Sequence, residues 1–311
     1  MGAALALAER GRGLTCPNPN VGCVIVSAGR VVGRGWTQAG GRPHAEAMAL
    51  GEAGSRAQGA TAYVTLEPCA RPGRGPACAD GLVAAGVRRV VAAAGDPFPA
   101  VDGQGFARLQ AAGVEVVEGV RKSEAERAMA GFLTRQRAGR PHVTLKLALS
   151  LDGCLALASG ASRWITGPAA RAHAHLERAK SDAILIGRGT WEADQPKLDV
   201  RLPGLERREP ARYVLGSRNI EGFSTMSAPE AIAGLPHNTL LVEGGATVAA
   251  SFLRADLVDR LMLYTAPIML GGKRGVADLG LTDLAATHAR WRLWDERRLG
   301  ADRLQVYERT R

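Results

Sequence analysis

Residues 44–78 contain His44-Ala45-Glu46, then Thr65-Leu66-Glu67-Pro68-Cys69, and then Cys78. An imidazole, two thiols and a carboxylate that need not be a ligand are spread along a stretch that the fold has to bring to one point. Catalytic Zn²⁺ takes three protein ligands from His, Cys and carboxylate and keeps a fourth position open. A structural zinc would want a fourth protein ligand, and no obvious one stands nearby. Bound zinc brings the pKa of water down to about 7, and Glu46, two residues past His44, is near enough to move a proton. Singly, these features carry little: His-x-Glu is a common pair, and free cysteines are often small buried hydrophobes. Together they point to a catalytic zinc held by His44, Cys69 and Cys78, with Glu46 as the proton carrier. Pro43 and Pro68 precede two of the ligands, which predicts helix N-termini at both.

The length of 311 residues suggests two domains, and 46% hydrophobic residues suffice for substantial cores. The opening Met1-Gly2-Ala3-Ala4-Leu5 runs into a short Ala/Leu helix with no basic n-region, which reads as a domain helix. No stretch is apolar for long enough to cross a bilayer. Five cysteines, an odd number with two assigned to metal, fit a reducing cytoplasm better than a disulfide framework. The net charge of +10 is dispersed, with no basic run longer than a pair, and aromatics make up only 5%. That favours small phosphorylated ligands over nucleic acid.

In the first half, strands are predicted at 21–26, 31–35, 62–66, 87–94 and 114–117, and helices at 44–50, 78–85, 106–112 and 123–137. Repeating β-α units imply a sheet covered by helices. Ala138-Gly139-Arg140-Pro141 punctuates the chain, which places a boundary between domains of residues 1–140 and 141–311. The second domain is expected to hold strands at 143–148, 183–187, 212–215, 239–242 and 260–264, and helices at 168–179 and 247–255. Val242-Glu243-Gly244-Gly245-Ala246-Thr247 reads as a strand, a Gly-rich turn and a helix start, able to hold a pyrophosphate on backbone N–H groups or merely to turn the chain.

Several segments carry a family resemblance: Pro17-Asn18-Pro19-Asn20-Val21-Gly22, Pro43-His44-Ala45-Glu46 and Ala62–Cys69 with Cys78, then Leu145–Gly153, Ser162-Arg163-Trp164-Ile165-Thr166-Gly167 and Val242–Thr247. They resemble, over almost the whole chain, the bifunctional bacterial deaminase/reductase of riboflavin biosynthesis. The His-x-Glu, Pro-Cys, Cys order is also that of zinc nucleobase deaminases, although eight residues rather than two separate the cysteines here. The resemblance implies an α/β protein, with a cytidine-deaminase-like three-layer α/β/α domain followed by a dihydrofolate-reductase-like α/β domain. It implies hydrolytic deamination of 2,5-diamino-6-(5-phosphoribosylamino)pyrimidin-4-one, then reduction of the ribosyl arm to ribityl with NADPH. It further implies a cytoplasmic homo-oligomer, dimer or tetramer, with one Zn²⁺ per chain and no nucleic-acid or membrane partner.

By the same resemblance Glu46 is catalytic and Asn18 binds the deaminase substrate, as an amide matching the donor and acceptor edges of a pyrimidine would. Ala148, Trp164, Thr190, Asp194, Gly245, Ala246 and Thr247 would contact NADPH. Ser162, Arg178, Leu198, Arg201 and Glu243 would contact the reductase substrate, with Arg178 and Arg201 suited to clamp a phosphate. For Trp164 the alternative is a core aromatic. Lys146 and Asp152 lie near the same pocket, in a functional or a structural role.

The chain also departs from the family. Arg71 stands where a substrate-binding His is usual, Thr37 where some members have another His, and Phe98 where many have Asn or Asp. The stretch from about 202 to 238 is shorter than usual, which leaves open a zinc deaminase with a weak or inactive reductase-like domain. A nucleic-acid-editing deaminase is a further alternative, disfavoured by the dispersed charge.

Overall fold

A computed structural model of the chain describes residues 1–72, 75–97 and 102–311. Phe98 lies outside the described residues. The chain forms two compact units, Met1–Gly139 and Arg140–Arg311. Among the described residues no helix is long and apolar enough to cross a membrane.

The first unit runs α1 (Gly2–Ala8), β1 (Gly22–Ser27), β2 (Arg30–Trp36), α2 (Ala45–Ala53), β3 (Thr61–Val64), α3 (Cys78–Ala84), β4 (Arg89–Ala92), α4 (Gln104–Ala111), β5 (Glu115–Val117), α5 (Lys122–Ala128) and α6 (Ala130–Ala138). Its sheet has the order β2-β1-β3-β4-β5. β1 is antiparallel to β2 and β3, and β3, β4 and β5 are parallel. On α2, Ala45, Ala49 and Ala53 recur every fourth residue and are buried, so one face of the helix meets the sheet. That face lies on Gly33 and Gly35 of β2. A Cβ at either glycine would come within 2.1 or 2.0 Å of a helix carbonyl oxygen.

The helix predicted over 123–137 is broken at Met129, whose ψ of 17° departs from helical geometry. At the break the Asn20 amide donates to Ala128 O at 3.1 Å. The same amide donates to Ala8 O at the end of α1, at 3.2 Å.

The second unit runs β6 (His142–Leu149), β7 (Cys154–Ala156), α7 (Pro168–Ala179), β8 (Ala183–Gly187), α8 (Arg188–Asp194), β9 (Ala211–Leu215), β10 (Ser224–Met226), β11 (Thr239–Val242), α9 (Ala246–Arg254), β12 (Arg260–Thr265), β13 (Lys273–Arg274), β14 (Trp291–Leu299) and β15 (Asp302–Arg309). Eight strands form one sheet in the order β10-β9-β8-β11-β6-β12-β15-β14. Strands β10 through β12 in that order are parallel, and β15 is antiparallel to both β12 and β14. The compressed stretch before Thr239 still supplies β9 and β10. Ile184, Leu185 and Ile186 of β8 are all at most 1% exposed, as expected for a strand covered on both faces.

Candidate active sites

In the first unit, the metal donors come from three different places. His44 is the N-cap of α2, in extended conformation with its imidazole making no cap bond. Cys78 opens α3. Cys69 lies in the loop after β3, so the helix start expected at Pro68-Cys69 is absent and the helix begins at Cys78 instead. The intervening stretch is rich in Gly and Pro, which disfavour helix interiors. His44 Nδ1 stands 3.3 Å from Cys78 Sγ and 3.7 Å from Cys69 Sγ, and the Cys78 backbone N–H donates to Cys69 Sγ at 3.3 Å. All three donor atoms lie within 4.8 Å of one another. Ligands at about 2.0–2.3 Å around a tetrahedral ion stand roughly 3.5–3.8 Å apart, so the donor set fits zinc. The Cys69 thiol is pulled well below its usual range, first by its hydrogen bond with Cys78. Cys78 is pushed up, first by the same bond and then by burial.

Glu46 is 3% exposed and sits in the first turn of α2. Burial raises its pKa, against the opposing pull of His44. A cavity of about 320 Å³ opens on His44, Glu46 and Cys69, lined also by Asn18, Thr37, Leu66, Glu67 and Phe132. The Asn18 amide packs on Gly41, where a Cβ would lie 1.7 Å from Nδ2 and where φ is +84°, so only glycine fits there. Thr37 is 2% exposed and its hydroxyl accepts the Val21 N–H at 3.0 Å. Arg71 is exposed and does not line this cavity. Glu67 is buried, and its carboxylate accepts backbone N–H groups of Gly105 (2.7 Å), Gly103 (3.1 Å), Asp96 (3.2 Å) and Phe106 (3.4 Å). It thereby ties the first turn of α4 to the loop that carries Cys69. Sequence reasoning left Glu67 without a role, because an acceptor of non-local backbone donors has no local pattern.

In the second unit, a cavity of about 550 Å³ opens beside the carboxyl ends of β8 and β11 and along β6, a usual ligand position in parallel sheets. Of the residues singled out from sequence, Ala148, Ser162, Trp164, Arg178, Thr190, Asp194, Leu198, Arg201, Glu243 and Gly245 line it. Ala246 and Thr247 do not; they open α9 behind the Gly245 N-cap. Trp164 is 62% exposed, with the Arg171 guanidinium 4.7 Å from its ring centre, so it is no core aromatic. Asp152 accepts from Ser150 Oγ (2.6 Å), Gly271 N (2.7 Å) and Leu270 N (3.0 Å), bonds that fix the turn after β6.

The two arginines expected as a paired clamp stand differently. The Arg178 fork is bidentate to Glu243, at 2.7 and 2.9 Å, and its Nη1 donates to Asp199 O at 3.1 Å. Lys146 Nζ lies 3.5 Å from the same carboxylate. Burial alone would raise the Glu243 pKa, but Lys146 and Arg178 outweigh it and hold the carboxyl at about 2. Arg201, by contrast, has a 61% exposed side chain, with its Nε 3.4 Å from Asp199 Oδ1.

Comparison with known proteins matches both units. Residues 1–94 match the family described as cytidine and deoxycytidylate deaminase zinc-binding region. Residues 141–234 and 226–303 match the RibD C-terminal domain. The riboflavin biosynthesis protein RibD of Escherichia coli K12 is 43% identical, over 97% of this chain and 96% of that protein. RibD of Mycobacterium tuberculosis H37Rv is 42% identical, over 98% and 95%. Among solved structures, Acinetobacter baumannii RibD superposes with a TM-score of 0.89 at 38% identity, covering 100% of this chain and 98% of that one. A Thermotoga maritima diaminohydroxyphosphoribosylaminopyrimidine deaminase/5-amino-6-(5-phosphoribosylamino)uracil reductase superposes with a TM-score of 0.90 at 30% identity, covering 100% and 97%.

Proposed function

The chain belongs to the RibD family of riboflavin biosynthesis proteins, and from that premise we propose that it carries out two consecutive steps. The first unit hydrolyses the amino group from 2,5-diamino-6-(5-phosphoribosylamino)pyrimidin-4-one. The second reduces the ribosyl arm to ribityl with NADPH. The observation that carries this reading is the convergence of the His44, Cys69 and Cys78 donor atoms at a cavity that His44, Cys69 and buried Glu46 line.

His44, Cys69 and Cys78 would hold zinc. Zinc bound there supplies a nucleophile at neutral pH by acidifying water. Glu46 takes a proton from the attacking water on its carboxylate and returns it to the departing amino nitrogen. Asn18 orients the pyrimidine edge. In the second unit the residues along β6, α8 and the Gly244-Gly245 turn would hold NADPH, which supplies a hydride when bound. Since Arg178 is committed to Glu243 by a bidentate pair, the substrate phosphate falls to Arg201, whose exposed guanidinium makes a looser pair with Asp199 at 3.4 Å.

Supplying the diaminopyrimidinone phosphoriboside without NADPH should yield the deaminated ribosylamino compound, and with NADPH the ribityl compound. Identical products under both conditions would remove the reductase step. Arg201→Ala should raise KM for the phosphorylated substrate roughly ten- to hundredfold, from the loss of about 1.5–3 kcal/mol of charged hydrogen bond. NADPH affinity should stay nearly constant, and steady-state kinetics varying each substrate separates the two.

A further inference from the structure

Arg201 can serve a phosphate only if its backbone is held in place, and its segment lies in neither helix nor strand. Gln195 and Leu198 both have left-handed backbone, with φ of 39° and 54°, a region disfavoured for residues with a Cβ. Leu198 and Val200 anchor the segment downward, at 2% and 3% exposure. Asp199 and Arg201, between and beyond them, meet α7. There His175 Nδ1 lies 3.0 Å from Asp199 O, and the Arg201 N–H points at the same Nδ1 at 3.3 Å.

We propose that His175 is a positioning residue for the second cavity, holding the Asp199–Arg201 backbone through Nδ1 so that the Arg201 guanidinium stands ready for the substrate phosphate. This rests on the reductase reading above and assigns a residue to it. Either tautomer of the neutral ring performs the task. Bare Nδ1 accepts from Arg201, and Nδ1–H donates to Asp199 O. Burial, then Arg178 and Arg201, lower the pKa of the imidazole, which favours the neutral ring. Arg178 also donates to Asp199 O, but nothing it makes there reaches the Arg201 N–H. His175 lines the cavity wall and escaped the sequence reading because its partners are backbone atoms on a loop far along the chain.

Asn places an amide where Nδ1 stands, whereas Gln places it about where Nε2 stands, and Leu offers no polar atom. Hydrogen exchange of the backbone amides at 197–202 should therefore quicken roughly five- to tenfold in His175→Leu and His175→Gln and return to the wild-type rate in His175→Asn. In kinetics, His175→Leu should raise KM for the phosphorylated substrate by a similar factor with kcat within about twofold. In an Arg201→Ala background the same change should add nothing, since both act through one group. Unchanged exchange in both His175→Leu and His175→Gln, or a full KM effect in the Arg201→Ala background, would overturn the proposal. Thermal melting of each variant separates this from loss of the fold: if Leu unfolds the unit, the Gln and Asn pair decides. A wild-type protein that oxidises no NADPH would sink the reductase reading, and exchange would still decide whether His175 holds the segment.

Discussion

Replacing Glu46 by Gln is expected to lower deaminase turnover by about 10²–10⁴-fold, the usual contribution of a positioned general acid/base, with zinc content unchanged. Gln keeps the size and hydrogen-bonding reach of the side chain but cannot take a proton. The three donor atoms lie on His44, Cys69 and Cys78, so removing the carboxylate leaves the ligand set whole. Cys69→Ser should do the converse and lose the metal together with the activity, because a hydroxyl is a far poorer zinc ligand than a thiolate. Metal analysis beside turnover distinguishes the two variants. Near-normal turnover in Glu46→Gln would take Glu46 out of the mechanism.

Glu243→Ala is expected to destabilise the second unit by about 3–5 kcal/mol, the cost of leaving buried charges without their partner. Arg178 is 14% exposed and Lys146 19% exposed at the side chain, and both face the one carboxylate. For a unit of this size the melting transition should fall by roughly 6–20 °C. The pH dependence follows from the depressed pKa. Its stabilisation is complete above the unfolded-state value of about 4.3 and fades as pH falls toward about 2. The gap between wild type and variant, measured by calorimetry, should therefore narrow from pH 7 to pH 2. A gap that stays constant would mean that the carboxylate's charge is not what holds the pair.

The parts of the fold legible in the sequence are those where burial writes a pattern. The buried strand 183–187 is a continuous apolar run, and helix 168–179 begins at Pro168 as read. The C-terminal hairpin β14–β15 escaped. β14 reads Trp-Arg-Leu-Trp-Asp-Glu-Arg-Arg-Leu, mostly exposed at the sheet edge, and charge breaks the alternation that would mark a strand. In β15 only Asp302, Leu304 and Val306 turn inward to full burial. The same division holds at the sites. Donor atoms with chemistry of their own, His44, Cys69, Cys78 and Glu46, stand out in the chain. Residues whose work is to receive distant backbone N–H groups, Glu67 and His175, do not, because their partners are chosen by the tertiary fold.

The glycines beneath α2 have a consequence for how this protein tolerates change. A mutational survey of the deaminase half would be expected to find intolerance at Gly33 and Gly35, residues with no reactive atom. With a Cβ at either position only about 2 Å from a helix carbonyl, even alanine has to lift the helix whose N-cap is His44 and whose first turn holds Glu46. The hydrogen atom in place of a side chain works as a machinist's shim. It sets the seating height of the proton carrier, so a one-carbon insertion out of sight of the cavity would be read in the laboratory as an active-site lesion.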